Sequence, residues 1–90
     1  MPQKPDVALA ETLKRLRDER GMSQEAVAFA AGISTSSVSR IERALMNPPW
    51  TVVRQMAEVL GVSIAELAAG VEREDSKLHS DTAQADHRNA

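Results

Sequence analysis

An all-α fold of five short helices is the architecture this sequence predicts, and three observations carry the prediction. Apolar residues recur at helical spacing in short blocks, glycines and prolines punctuate the block ends, and aromatic residues are nearly absent, Phe29 and Trp50 being the two in 90 residues. With so few aromatics the core must be aliphatic and alanine-lined, which suits packed short helices better than a β-sandwich. Hydrophobic residues at 42% and charged residues at 27% are ordinary for a globular chain, and the length is that of one small domain. Cysteine is absent, which excludes a disulfide scaffold and any thiolate zinc site. No apolar run approaches the roughly 18 residues of a membrane span. The Met1–Pro5 start lacks the apolar stretch of a secretory signal, so a cytoplasmic protein is expected.

Prolines 2 and 5 make residues 1–5 an irregular arm. Asp6 caps a first helix from Val7 to about Arg20, with Leu9, Leu13 and Leu16 on one stripe and Gly21 just past the end. Ser23 caps a second, Gln24 to Ala31, which buries Val27 and Ala28 and stops at Gly32. Ser34 caps a third, Thr35 to about Arg43. Its inward residues are Val38 and Ile41, and Thr35, Ser36, Ser39, Arg40 and Arg43 fall on the opposite side. Asn47-Pro48-Pro49 breaks the pattern before a fourth helix, Pro49 to Leu60, whose apolar side includes Val53, Met56, Ala57 and Leu60, with Trp50 expected in the core. Gly61 closes it. Ser63 and Glu66 form a capping box that opens a fifth helix from Ile64 to about Ala69. Beyond Gly70 the composition turns to Glu, Asp, Ser, His, Gln and Asn, too polar to offset its own ordering entropy. The expected division is an arm (1–5), a folded domain (6–70) and an acidic, disordered tail (71–90).

The net charge of −2 does not exclude an anionic partner, because the charge is unevenly spread. Residues 1–70 carry eight Lys/Arg and eight Asp/Glu, so the whole deficit lies in the tail. From Gly32 to Arg54, Arg40, Arg43 and Arg54 stand against Glu42 alone. In the same region two short helices are joined by a tight Gly-containing turn, a helix-turn-helix arrangement. Ala28 lets the second helix approach, Gly32 accepts the turn, and Ile33, Val38 and Ile41 pack beneath the pair. The outward face of the second helix is left small and polar, as a groove-reading helix requires.

The stretch Ser23-Gln24-Glu25-Ala26-Val27-Ala28, then Gly32-Ile33-Ser34, then Val38-Ser39-Arg40-Ile41-Glu42-Arg43, resembles the Cro/repressor-type helix-turn-helix (XRE) family. Leu16-Arg17, Asn47-Pro48 and Leu60-Gly61-Val62-Ser63 agree on the flanks, so the resemblance covers about residues 7–69. It implies a repressor-like helix-turn-helix domain that binds double-stranded DNA. By position it assigns Thr35, Ser36, Ser39 and Arg40 to base edges in the major groove. Gln24, Ser37, Arg43 and Asn47 match phosphate contacts, and Arg17 and Glu42 match a salt bridge between the first and third helices. One departure is Ala44, where the family has glycine. The cost of alanine in a left-handed conformation leads us to expect that the third helix instead runs on through Leu45.

The function expected is a sequence-specific transcriptional regulator, associated with the nucleoid and acting as a two-fold dimer on a palindromic operator. Its dimer contact is placed on Val52, Ile64, Leu67 and Val71, more apolar residues than so small a core is expected to bury. The alternative is a protein-interaction module of the same fold, antitoxin-like or accessory, that binds a partner protein through Phe29 or the tail. Phe29 with Ala26 and Ala30 would form a small exposed apolar patch. No cofactor, metal, small-molecule ligand or membrane is expected as a partner. His79, Asp81, Asp86 and His87 lie in the tail without metal-ligand spacing, and neither a nucleophile elbow nor a Gly-rich phosphate loop is present, so no enzyme activity is expected.

Overall fold

The computed structural model describes residues 4–89, with side chains described through residue 79. Helices α1 (Val7–Glu19), α2 (Gln24–Ala31), α3 (Thr35–Glu42), α4 (Trp50–Val59) and α5 (Ile64–Asn89) follow one another, with no strand among the described residues. Their starts are set by side-chain caps, which satisfy backbone N–H groups that have no partner inside a helix. Asp6 accepts from the Leu9 amide at 2.9 Å, Ser23 from Ala26 at 3.0 Å and Ser34 from Ser37 at 3.1 Å. At α5 the capping box is reciprocal: Ser63 Oγ accepts from the Glu66 amide at 3.0 Å, and Glu66 Oε1 accepts from the Ser63 amide at 3.3 Å. Helix α4 starts without a side-chain cap, after the extended Pro49.

The core is aliphatic. Leu13 of α1, Val27 of α2, Val38 and Ile41 of α3, Met56 of α4 and Leu60 just past it are fully buried, with Ala28, Ala31, Ala57 and Leu67 around them. Leu67 is only 3% exposed and belongs to this core. The helices bury it because Leu67 sits one turn past the Ser63 cap, its amide donating to the Ser63 carbonyl, on the side of α5 that faces α1 and α4.

Four helices end in one closure, a Schellman motif in which the chain turns back through a left-handed residue. The amides of Met22, Ile33, Leu45 and Val62 donate to the carbonyls of Arg17, Ala28, Arg40 and Ala57 at 3.2, 3.0, 2.8 and 3.0 Å. The left-handed residue is Gly21, Gly32 or Gly61 in three of them and Ala44, at φ +56°, after α3. The expectation that the third helix runs on through Leu45 is therefore corrected. Helix α3 stops at Glu42, and the bonds from Ala44 to Ile41 (3.1 Å) and from Leu45 to Arg40 offset the strain at the alanine.

The expected end of α5 near Ala69 is also moved. The helix passes through Gly70, which is buried where α5 crosses α1: a β-carbon there would stand 3.0 Å from Thr12 Cγ2 and 3.3 Å from Arg15 Nη2. Thr12 is itself fully buried, its hydroxyl donating to the Ala8 carbonyl at 2.7 Å. Past the crossing, Val71 packs against the core and the Arg15 guanidinium lies 3.6 Å from Glu74. The glycine read as a boundary is thus a close-approach point, and the first turns beyond it are helical and attached to α1.

Candidate nucleic-acid interface

Helices α2 and α3 meet through small residues: Ala28 and Ala31 are buried on α2, and Ile33, in the turn, packs against the core. Burying Val38 and Ile41 fixes the rotation of α3, so its remaining residues must face outward. Thr35, Ser36, Ser39, Arg40 and Arg43 line an open concavity of about 540 Å³, closed on one side by Gln24 at the first position of α2. Ser36, Arg40 and Arg43 are exposed, while Thr35, Ser39 and Gln24 are half-buried. Neither arginine has an ion-pair partner among the described residues. Ser37 lies outside this lining, and its Oγ is 2.9 Å from the Ser34 hydroxyl. The surface thus offers hydroxyls and two guanidinium groups, donors and acceptors without a nucleophile–base pair.

Behind the concavity, Arg17 and Glu42 meet in a two-pronged ion pair. Arg17 Nε donates to Oε2 at 2.6 Å and Nη2 to Oε1 at 2.9 Å, while Nη1 donates to the Met22 carbonyl at 2.8 Å. Their side chains are 13% and 3% exposed, so the pair is largely out of water. Gln24 Nε2 also donates to Glu42 Oε1, at 3.0 Å. One carboxylate therefore joins α1, α2 and α3, and among the described residues no buried side-chain polar atom lacks a partner. The hydrogen bond to Glu42 raises the Arg17 pKa above its ordinary value, against the lowering effect of burial and with help from the charges of Glu42 and Asp18. A raised folded-state pKa gives stability that is complete below the unfolded value, so this contribution is constant through the neutral range.

Asn47 lies in the loop after α3, and its amide is turned to the start of the chain. Oδ1 accepts from the Asp6 amide at 2.6 Å, and Nδ2 donates to the Lys4 carbonyl at 3.3 Å. This link across 41 and 43 residues had no signal in the sequence. Nor did the bond from Gln24 to Glu42, which requires α2 and α3 to be already docked.

On the far side, Leu9, Trp50, Val53, Ile64, Leu67, Ala68, Val71 and Glu72 line an apolar groove of about 360 Å³ between α4, α5 and the start of α1. Trp50 is 60% exposed, not a core residue as expected. As the first residue of α4 it overhangs the end of the buried stripe that begins at Val53. Val52, Ile64 and Val71 are half-buried against the core. Phe29 on α2 is 91% exposed. No cluster of metal-ligating side chains occurs among the described residues, and His79 lies 3.6 Å from Asp75. The side chains of Asp81, Asp86 and His87 lie outside the described residues.

Fold and site together define a helix-turn-helix module that presents a polar second helix beside a buried ion pair. The chain belongs to the helix-turn-helix domain family, whose model matches residues 8–70. It is 38% identical over 64 residues to the HTH-type transcriptional regulator DdrOP3 of Deinococcus deserti, a match covering 71% of this chain. It spans half the length of that regulator (50%). Among solved structures it is similar to the restriction-modification controller protein C.AhdI of Aeromonas hydrophila. That match is 33% identical with a TM-score of 0.65, covering 68% of this chain and 92% of the controller. It is also similar to the controller protein C.Esp1396I, solved as a tetramer in complex with its natural 35 base-pair operator. There the identity is 25% and the TM-score 0.71, over 76% of this chain and 90% of that one.

Proposed function

We propose that the protein is a sequence-specific, double-stranded-DNA-binding transcriptional regulator that inserts α3 into the major groove. The observation that carries this reading is the concavity of Thr35, Ser36, Ser39, Arg40 and Arg43, its two arginines without ion-pair partners among the described residues and Gln24 at its edge. Thr35, Ser36, Ser39 and Arg40 face base edges, and Arg40 is the side chain on that face able to grip a guanine at two points. Gln24, Ser37 and Arg43 hold phosphate, Gln24 with the aid of the α2 N-terminus.

One helix of eight residues touches only a few base pairs. A two-fold dimer on a palindromic operator doubles that reading, with half-site centres about one helical turn, ~34 Å, apart. Val52, Ile64 and Val71 rim the dimer contact, with Trp50 beside them and Leu67 as its floor. Relatives named as transcriptional regulators and controller proteins support this reading, and the tetramer on an operator supports assembly on DNA. The site of action is then the cytoplasmic nucleoid.

Selection of genomic fragments on the purified protein, followed by footprinting and mass measurement of the complex, tests the proposal. Two protected half-sites with two chains per operator are expected. A single protected half-site with one bound chain overturns the dimer, and absence of salt-dependent duplex binding overturns the function. In that last case the exposure of Phe29 favours a protein-interaction module instead.

A further inference from the structure

Asn47 matches a family phosphate contact, yet both ends of its side-chain amide are engaged within the chain. We propose that Asn47 is a positioning residue that holds Lys4 against the DNA backbone, so that Lys4 is itself a phosphate contact. This inference rests on the DNA-binding reading given above.

The two bonds from Asn47 fall on the Lys4 carbonyl and the Asp6 amide, on either side of Pro5. Proline already has a fixed φ and no N–H of its own, so clamping both neighbours leaves this segment little freedom. Asp6 is secured again on its other side, where its carboxylate accepts from the Leu9 amide. The course of the chain up to Lys4 is therefore set by the loop that leaves the C-terminal end of α3. That loop begins at Arg43, a member of the concavity lining.

Charge favours the same assignment. Lys4 is exposed and has no ion-pair partner among the described residues. The neighbouring Asp6 carboxylate is turned to the positive N-terminal end of α1, which offsets its repulsion of a phosphate. A lysine delivered this way is a point charge without base readout, so it adds affinity and salt dependence but not sequence preference.

Affinity of the full chain for its selected operator, measured by fluorescence anisotropy over a range of salt concentrations, tests the proposal. Lys4→Gln should weaken binding to every sequence by the same factor and flatten the slope of log K against log salt by roughly 0.9 for each phosphate no longer neutralised. Asn47→Ala should do likewise, and the double variant should bind no more weakly than Asn47→Ala alone. An unchanged salt slope in Lys4→Gln overturns the proposal, whatever Asn47→Ala does to folding, because Lys4 packs against nothing in the core. Additive losses overturn it too, since Asn47 then meets the phosphate independently. If the parent chain shows no salt-dependent duplex binding, the DNA-binding reading fails and this inference fails with it. A parent chain that binds with variants that leave the slope intact refutes this inference alone.

Discussion

Replacing Ala44 with glycine separates two geometries that predict opposite signs. In the structure Ala44 is left-handed at φ +56°, inside the closure formed by Leu45 on Arg40. An L-residue with a β-carbon is destabilised in that conformation by about 1–2 kcal/mol, and glycine is not. Against this, glycine gives the unfolded chain more freedom, which costs about 0.4–1 kcal/mol. The net expectation is a gain of about 1 kcal/mol. In a domain of this size that raises Tm by roughly 4–8 °C. If α3 instead continued through residue 45, Ala44→Gly would place glycine in a helix and lose about 1 kcal/mol. Thermal melts of the two proteins, followed by far-ultraviolet circular dichroism, decide the matter. A Tm that falls refutes the strained closure.

Glu42→Ala should destabilise by about 3–5 kcal/mol, because it strands a guanidinium that is mostly out of water; a melt within a degree or two of the parent would show the pair to be structurally idle. Gly70→Val should lose about 1–3 kcal/mol by overpacking against Thr12 and Arg15, and an unchanged melt would mean that α5 does not press on α1 at that point. Arg40→Ala should relax preference at one base position in each half-site, by about 1–3 kcal/mol of discrimination. Equal weakening on all operators in a binding-site selection would reassign Arg40 to phosphate.

Much of the fold was legible because its signals are local. Asp6, Ser23, Ser34 and the Ser63–Glu66 box each act on an amide three residues away, and each helix began where its cap stood. The outward face of α3 was legible for a related reason: burying Val38 and Ile41 leaves no other choice for Thr35, Ser36, Ser39 and Arg40. What escaped the sequence depends on packing between elements. Gly70 reads as a break beside a change of composition, but it is buried against Thr12, nearly sixty residues earlier. Ala44 reads as a poor left-handed residue, and only the bond between Leu45 and Arg40 shows what holds it there. Trp50 lies outside the core and Leu67 within it because core capacity depends on how the helices overlap, not on how many apolar residues are available.

The position of Trp50 determines what light can report about this protein. The chain has one tryptophan and no tyrosine, so its intrinsic emission comes from a single indole at the rim of the α4–α5 groove. That ring is already 60% exposed in the folded chain, so unfolding changes its surroundings little and the emission spectrum is a poor thermometer of the core. Anything that covers the groove takes the same ring out of water and moves its emission to shorter wavelength. The unlabelled protein therefore carries a probe that is nearly silent to folding and responsive to association, and the two processes can be followed separately in one cuvette.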